Sequence, residues 1–182
     1  MQIRMNRKKL VTEMGRISGD DFRNSDKLPL VVVLDNVRSL HNVGSVFRTS
    51  DAFRVKNVLL CGITATPPNA EIHKTALGAE DVVAWQYFES TSDAVEKLRQ
   101  DGYRIFAIEL CDGSIALQDF EITTGEKYAV ILGNEVKGVQ QTVVDASDGA
   151  IEIPQFGTKH SLNVSVTAGM VIWEFAKKLG WV

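Results

Sequence analysis

The apolar positions of the chain fall into two kinds of run. Leu30 to Leu34, inside LPLVVVLDN, is an unbroken apolar and β-branched stretch, the pattern of a strand covered on both faces. Similar runs recur at Val55–Cys61, Tyr103–Leu110, Tyr128–Leu132 and Ala150–Ile153. Between them, helical spacing is found over Val43–Phe53, near Ile72–Leu77, and over Ser92–Asp101, Val139–Ala146 and Ser161–Leu179. Strands alternating with helices predict an α/β fold, a largely parallel sheet covered by helices on both faces.

Ligands in such sheets sit beyond the carboxyl ends of the strands. Those ends read Asp35-Asn36, Cys61-Gly62, Glu109, Gly133-Asn134-Glu135 and Pro154, rich in small and polar residues. No Gly-x-Gly-x-x-Gly follows the first run and no Gly-Lys-Ser/Thr occurs, which disfavours a dinucleotide fold and a phosphate-loop NTPase.

Composition narrows the picture. The 182 residues, 45% hydrophobic and 24% charged, suit one globular domain. Nothing approaches a membrane-spanning apolar run. The start, MQIRMNRKKLVTEMGR, is basic without the apolar core of a secretion signal, so a cytoplasmic location is expected. Residues 1–28 read as a basic extension compatible with helix, ahead of a domain over 29–182. Cys61 and Cys111 end apolar runs and are expected to be reduced core thiols. His41, His73 and His160 lack paired ligand spacing, so no metal site is expected. A net charge of −3 argues against nonspecific coating of nucleic acid. Local contacts remain open through Arg4, Arg7, Lys8 and Lys9, a cluster that reads equally as a solvated tail, and through Arg38, Arg48 and Arg54.

Three segments concentrate candidate chemistry. In LDNVRSLHNVGSVFRTSDAF, Asn42 stands where a helix N-cap is expected. Gly44 is expected to keep that first turn open to another chain. Arg48 reads either as a surface partner of Asp51 or as part of a polar stripe aimed at a ligand. In AVILGNEVKGV, a helix start explains Glu135 but not Gly133 and Gly138, for which close approach of a ligand is an explanation. In IEIPQFGTKHSLNVSVTAGMVIWEF, Ser161 is the expected helix cap. Small residues Ser165, Thr167, Ala168 and Gly169 accompany a stripe of Leu162, Val166, Met170 and Trp173, and a buried Asn163 would need hydrogen-bond partners.

Taken in order, N-x-G-x-x-x-R-T, L-G-N-E-x-x-G and I-P-x-x-G-x-x-x-S-L-N-V-S-V resemble the SpoU/TrmH branch of the SPOUT methyltransferases, from about Leu30 to the C-terminus. The resemblance implies a sheet whose C-terminal part is tied in a deep trefoil knot, and a homodimer in which the first segment helps to form the partner's site. It also implies S-adenosyl-L-methionine as cofactor, bound by Ile108, Glu109, Leu132, Gly133, Asn134, Ile153 and Leu162. The catalytic set it implies is Asn42, Arg48, Glu135, Ser161 and Asn163. The reaction implied is methyl transfer to an RNA ribose 2′-OH. The compact core favours tRNA over ribosomal RNA. One departure is Gln155, where relatives often carry Met after the proline; this bears on substrate choice. Without an added RNA-binding domain, recognition is expected from the core, the basic tail or the C-terminal helix.

Arg48 is the activator implied by the resemblance. A guanidinium seldom gives up its proton, so its expected part is to bind a neighbouring phosphate and stabilise the developing alkoxide, with Glu135 and Asn42 orienting it. Three rivals stand beside this reading: a non-catalytic RNA-binding protein of the same fold, a base methyltransferase, and an unrelated nucleotide-binding α/β protein.

Overall fold

The computed structural model describes residues 7–182; Arg4 of the expected basic cluster lies outside the described residues. Seven strands form one parallel sheet: β1 (Leu28–Asp35), β2 (Val55–Cys61), β3 (Trp85–Phe88), β4 (Tyr103–Ile108), β5 (Ile115–Ala116), β6 (Lys127–Leu132) and β7 (Gly149–Glu152), in the order β3-β2-β1-β6-β4-β7-β5. The helices are α1 (Gly19–Asn24), α2 (Leu40–Ala52), α3 (Ala70–Ala76), α4 (Thr91–Gln100), α5 (Gln141–Ala146) and α6 (Val164–Lys178).

The continuous apolar runs are buried on both sides, as a period of two requires. In β1, Leu30, Val32 and Leu34 enter a large core under α2, α3 and α6 with Phe47, Ile72 and Phe175. Val31 and Val33 enter a smaller core on the opposite face, with Leu98 of α4 and Val143 of α5. Val32 pairs with Val58 on one side and Val130 on the other. The strand order therefore turns in opposite directions on either side of β1, and a parallel sheet offers its crevice at such a switch point.

Two strands escape the apolar pattern for a physical reason. Three of the four β3 residues are exposed at the sheet edge, so no buried face imposes a pattern. Strand β5 has two residues, too few to show a period. Residues 1–28 hold a 3-10 turn at Val11–Glu13 and the short α1, capped by Ser18 and pinned where Arg23 donates to the Asp81 carbonyl at 3.1 Å. Cys61 is fully buried, and burial pushes its thiol up to about 12. Cys111 is only partly buried, packed against the rim of the smaller core.

Two expected caps are corrected. Helix α2 begins at Leu40, and its N-cap is Ser39, whose hydroxyl accepts from the Asn42 N–H at 3.3 Å. Helix α6 begins at Val164 under Asn163, whose side-chain oxygen accepts from Ser165 and Val166 N–H groups. Ser161 lies in the preceding loop. A third correction concerns Gly44, which opens no turn to another chain. A Cβ there would sit 2.2 Å from the Ile72 carbonyl oxygen and 2.2 Å from Thr75 Oγ1; the glycine lets α2 lie directly on α3.

Gly44→Ala sets two effects against each other. Helix propensity gains about 1 kcal/mol, while overpacking costs roughly 1–3 kcal/mol. The obstructing atom is backbone and yields little, so the cost wins. Urea denaturation should show a lower midpoint with unchanged slope; a raised midpoint would mean that α2 and α3 separate easily.

Candidate functional site

The motif residues come together because three loops meet at the carboxyl ends of β1, β6, β4 and β7. A cavity of about 520 Å3 opens there. Its walls include Ile108 and Glu109 after β4, Leu132 to Gly138 after β6, Glu152, Ile153 and Gln155 from β7 onward, and His160 to Val164 with Thr167 at the start of α6.

One carboxylate ties these loops to α2. Glu135 accepts from the N–H of Arg38 and of Ser39, each at 3.0 Å, and from the Asn42 side-chain amide at 3.0 Å. Asn42 in turn accepts from the Asn163 side chain at 3.2 Å. Glu135 thus satisfies backbone donors at the mouth of α2, where negative charge is also favoured by the helix dipole. Burial pushes its carboxyl up, but the N–H groups of Arg38, Ser39 and Glu135 itself, with the Asn42 amide, outweigh this and hold it below the usual carboxylate value.

The glycines of the second segment have an internal explanation. Asn134 and Gly138 exchange N–H to carbonyl hydrogen bonds of 3.0 and 2.9 Å, closing the loop into a tight bridge. A Cβ on Gly133 would lie 2.1 Å from the Gly138 carbonyl carbon, and one on Gly138 would lie 2.2 Å from Glu109 Oε2. Gly138 also has a φ of +68°, which favours glycine. Glu109 then accepts from the Val139 N–H at 2.9 Å. Close packing of the loop on itself and on Glu109, without any ligand, requires both glycines.

The expected residues divide into three groups. Ile108, Glu109, Leu132, Gly133, Asn134, Ile153 and Leu162 all wall the cavity, as do Glu135, Ser161 and Asn163. Asn42 is buried behind the wall and reaches it through Glu135 and Asn163. Arg48 is exposed on α2, away from the wall; among the described residues it makes neither the ion pair with Asp51 nor a hydrogen bond to Glu135 or Asn42. The polar stripe expected along α2 does not exist as one face. Asn42 turns to Glu135 and Gly44 to α3, Ser45 and Thr49 donate to the carbonyls of His41 and Ser45 one turn back, and Arg48 faces solvent. Asn163 is exposed, and its amide is engaged by capping and by Asn42.

Sequence reasoning passed over Asp35. This fully buried carboxylate at the end of β1 accepts from Thr91 Oγ1 at 2.6 Å, from the Asn36 amide at 2.8 Å, and from the Gln140 side chain and N–H at 2.7 and 2.9 Å. Four donors in place of a cation keep a buried charge tolerable, and they fix the far end of the Gly133–Gly138 loop to β1. A charged residue closing an apolar run was the available signal. His160, Glu152 and Thr167 were also missed as wall residues, for want of any pattern.

The cavity fits S-adenosyl-L-methionine by size and chemistry. Its volume lies in the range of small-molecule sites. Ile108, Leu132, Ile153 and Leu162 offer apolar surface to an adenine, and Glu109, Glu135 and Glu152 place carboxylates near a cationic ligand. Among the described residues no group of three or more His, Cys, Asp or Glu is gathered as a metal site. No helix there is long and apolar enough to cross a membrane.

The Glu135 anchor carries a pH signature. A carboxyl held below its ordinary value contributes stability above about pH 4.5, and that contribution fades as pH falls through the lowered value. Glu135→Gln should therefore melt below the parent at pH 7, and the gap should narrow as pH falls below the ordinary carboxylate value of about 4.5. A gap independent of pH in thermal melts would assign the anchoring to shape, not charge.

Known proteins resemble this chain in sequence and fold. The SpoU rRNA methylase family pattern matches residues 29–173. The chain is similar to a 23S rRNA (guanosine-2′-O-)-methyltransferase of Neisseria meningitidis, 30% identical over 85% of this chain and 61% of the relative. It is also similar to a tRNA (guanosine(18)-2′-O)-methyltransferase of Aquifex aeolicus, 31% identical over 80% of this chain and 67% of the relative. The AdoMet-bound rRNA methyltransferase of Sinorhizobium meliloti superposes with a TM-score of 0.78 at 25% identity, covering 87% of this chain and 60% of that one. The chain thus spans about 61% of the length of the Neisseria relative. A pattern matching most of the sequence, on a parallel sheet where two signature loops wall one cavity and the first segment is hydrogen-bonded to them, places this chain in the SpoU rRNA methylase family.

Proposed function

We propose that the chain is an S-adenosyl-L-methionine-dependent methyltransferase acting in the cytoplasm on a ribose 2′-OH of RNA, with tRNA favoured over ribosomal RNA. The single observation that carries this reading is the hydrogen-bonded chain Glu135–Asn42–Asn163 at the wall of an acidic and apolar cavity. It brings residues from all three family segments to one place. The relatives' names support both RNA classes. We further propose that residues 29–182 form the transferase domain and 1–28 an extension. The cavity loops would be threaded as the trefoil knot that the resemblance implies, a reading supported by the meeting of the Gly133–Gly138 and Pro154–Asn163 segments at one cavity.

When bound, the cofactor supplies a methyl on a sulfonium, which leaves without acid assistance. The chain's task is alignment, since positioning alone contributes roughly 7–11 kcal/mol in reactions of this kind. Backbone at Leu132–Asn134 and the side chains of Ile153 and Leu162 would hold the cofactor, and Ser161 and Asn163 would shape the wall toward the ribose. Glu135 and Asn42 act on α2, whose start they fix, and through it on Arg48. The Arg48 guanidinium binds a phosphate beside the target ribose and stabilises the alkoxide as it develops. A phosphate oxygen or water takes the proton.

Arg48 is exposed on α2 and absent from the cavity wall of its own chain, which supports a reading in which a second copy completes the site. The surface for it is a stripe on α6: Val166, Met170 and Trp173 are about half-exposed, Leu162 continues the stripe past the helix start, and Trp173 meets Phe53 of α2 edge-on at 5.8 Å. This patch borders both the cavity and α2. Gly169 on the same helix has no atom within 4 Å of a built Cβ, leaving room for close approach.

The activity test uses labelled methyl transfer from S-adenosyl-L-methionine to total RNA from cells lacking this protein, with tRNA and ribosomal RNA then separated. Label should enter one fraction and the labelled linkage should resist alkali. Alkali-sensitive label would mean base methylation, and absence of label with intact cofactor binding would mean a binding protein. The sharing of the site has its own test. Arg48→Ala should lower turnover roughly 100-fold with cofactor affinity retained, as should Arg48→Lys if fork geometry matters. Mixing Arg48→Ala with a cavity-blocked Ile153→Asp chain should restore activity, because one hybrid site then has an intact cavity and an intact arginine. No recovery in mixed dimers places Arg48 in its own chain's site.

A further inference from the structure

We propose that Phe156 is a stacking residue for the RNA substrate, its ring packing against an unstacked base beside the ribose to be methylated. This rests on the reading of the cavity as an RNA methyl-transfer site. Phe156 is 97% exposed, more than any other large hydrophobic side chain among the described residues. It sits in the loop joining β7 to α6, between Gln155 and His160, both of which wall the cavity, while Phe156 itself contributes nothing to that wall. The ring therefore stands at the rim, free of its own chain and outside the space for the cofactor.

The charge distribution says what kind of contact is needed there. The cavity carries Glu109, Glu135 and Glu152, and the chain as a whole is at −3, so a polyanion meets little general attraction. The rim supplies cations: Lys137 on the wall, and Lys159 in the Phe156 loop. Cations for phosphate interleaved with an exposed aromatic suit single-stranded RNA, whose bases are splayed and stacked on protein rings. Stacking adds affinity without charge, which is what an acidic site can use. Two other exposed apolar residues, Leu110 at 69% and Val136 at 78%, line the cavity itself and so face the cofactor space rather than the rim.

The test compares Phe156→Ala, Phe156→Leu and Phe156→Tyr in the full chain. Four quantities are read: KM and kcat for RNA, cofactor affinity by calorimetry, oligomeric state, and affinity for a fluorescein-labelled stem-loop RNA. Phe156→Ala and Phe156→Leu should raise KM and weaken stem-loop binding by about 5- to 100-fold, and Phe156→Tyr should restore both. Cofactor affinity and oligomeric state should not move. The loss should persist at high salt, whereas the smaller loss in Lys159→Ala should vanish there. Full function in Phe156→Leu overturns the proposal, because a mere apolar contact would then suffice. Weakened cofactor binding overturns it in favour of a cover over the cofactor, and a changed oligomeric state in favour of a subunit contact. If the parent chain transfers no methyl to any RNA, the functional reading fails instead, and stem-loop binding still decides the role of Phe156.

Discussion

The Glu135 carboxylate joins the start of α2 to the loop after β6, beyond what sheet pairing and the Asp35–Gln140 and Asn134–Asn36 hydrogen bonds already hold. It lies in the loop after β6, yet three of its donors belong to the segment after β1. The two strands are neighbours in the sheet, so their loops emerge side by side at the switch point, and a single acid spans the gap. The donors it satisfies are those that a helix start leaves without partners. One interaction therefore caps α2, fixes the loop that walls the cavity, and positions Asn42 to meet Asn163 on the third segment. The sheet sets the approximate geometry, and the carboxylate removes the remaining freedom between cavity and helix.

Rigidity of the same loop comes from below as well. Gly133 and Gly138 let the chain fold back within hydrogen-bonding distance of itself, and Glu109 and Asp35 each hold the N–H of a residue leaving the loop, Val139 and Gln140. A cavity whose wall is braced at both ends needs little reorganisation on binding, which lowers the cost of ordering it around a ligand. The acidic residues of this region thus serve two ends. Their oxygens accept backbone donors, and their charge biases the cavity toward a cationic ligand.

What could be read from the sequence follows from where a residue's constraint originates. Strands β1, β2, β4, β6 and β7 were legible because burial on both faces forces unbroken apolar runs. Strand β3 was not, because an edge strand is under no such demand, and β5 is too short for any period. The family segments gave the wall residues, since Gly133, Asn134, Ile153 and Leu162 are near one another through topology that the segments' order encodes. Caps were misplaced by three residues in α2 and by two in α6: Ser39 and Asn163 hold donors that Asn42 and Ser161 could have held equally well by residue type. Gly44, Gly133 and Gly138 were read as openings for a partner or a ligand. Only coordinates could show that Ile72, Gly138 and Glu109 already fill those spaces.

Arg48 is where one chain's structure and the chemistry part company. The phosphate-binding role proposed for Arg48 would gain most in a partly desolvated, fork-shaped setting, and in the single chain Arg48 is exposed. Six residues separate it from Asn42, so on a helix of 3.6 residues per turn it points well away from the side that faces Glu135. In the proposed dimer the apolar stripe of α6 would supply the missing element, because it lies against α2 beside the cavity. Burying it against its own equivalent would carry each chain's α2 toward the other's cavity. On the proposed pairing, the exposed arginine and the exposed stripe would have the same cause: each would be half of a site that two copies share.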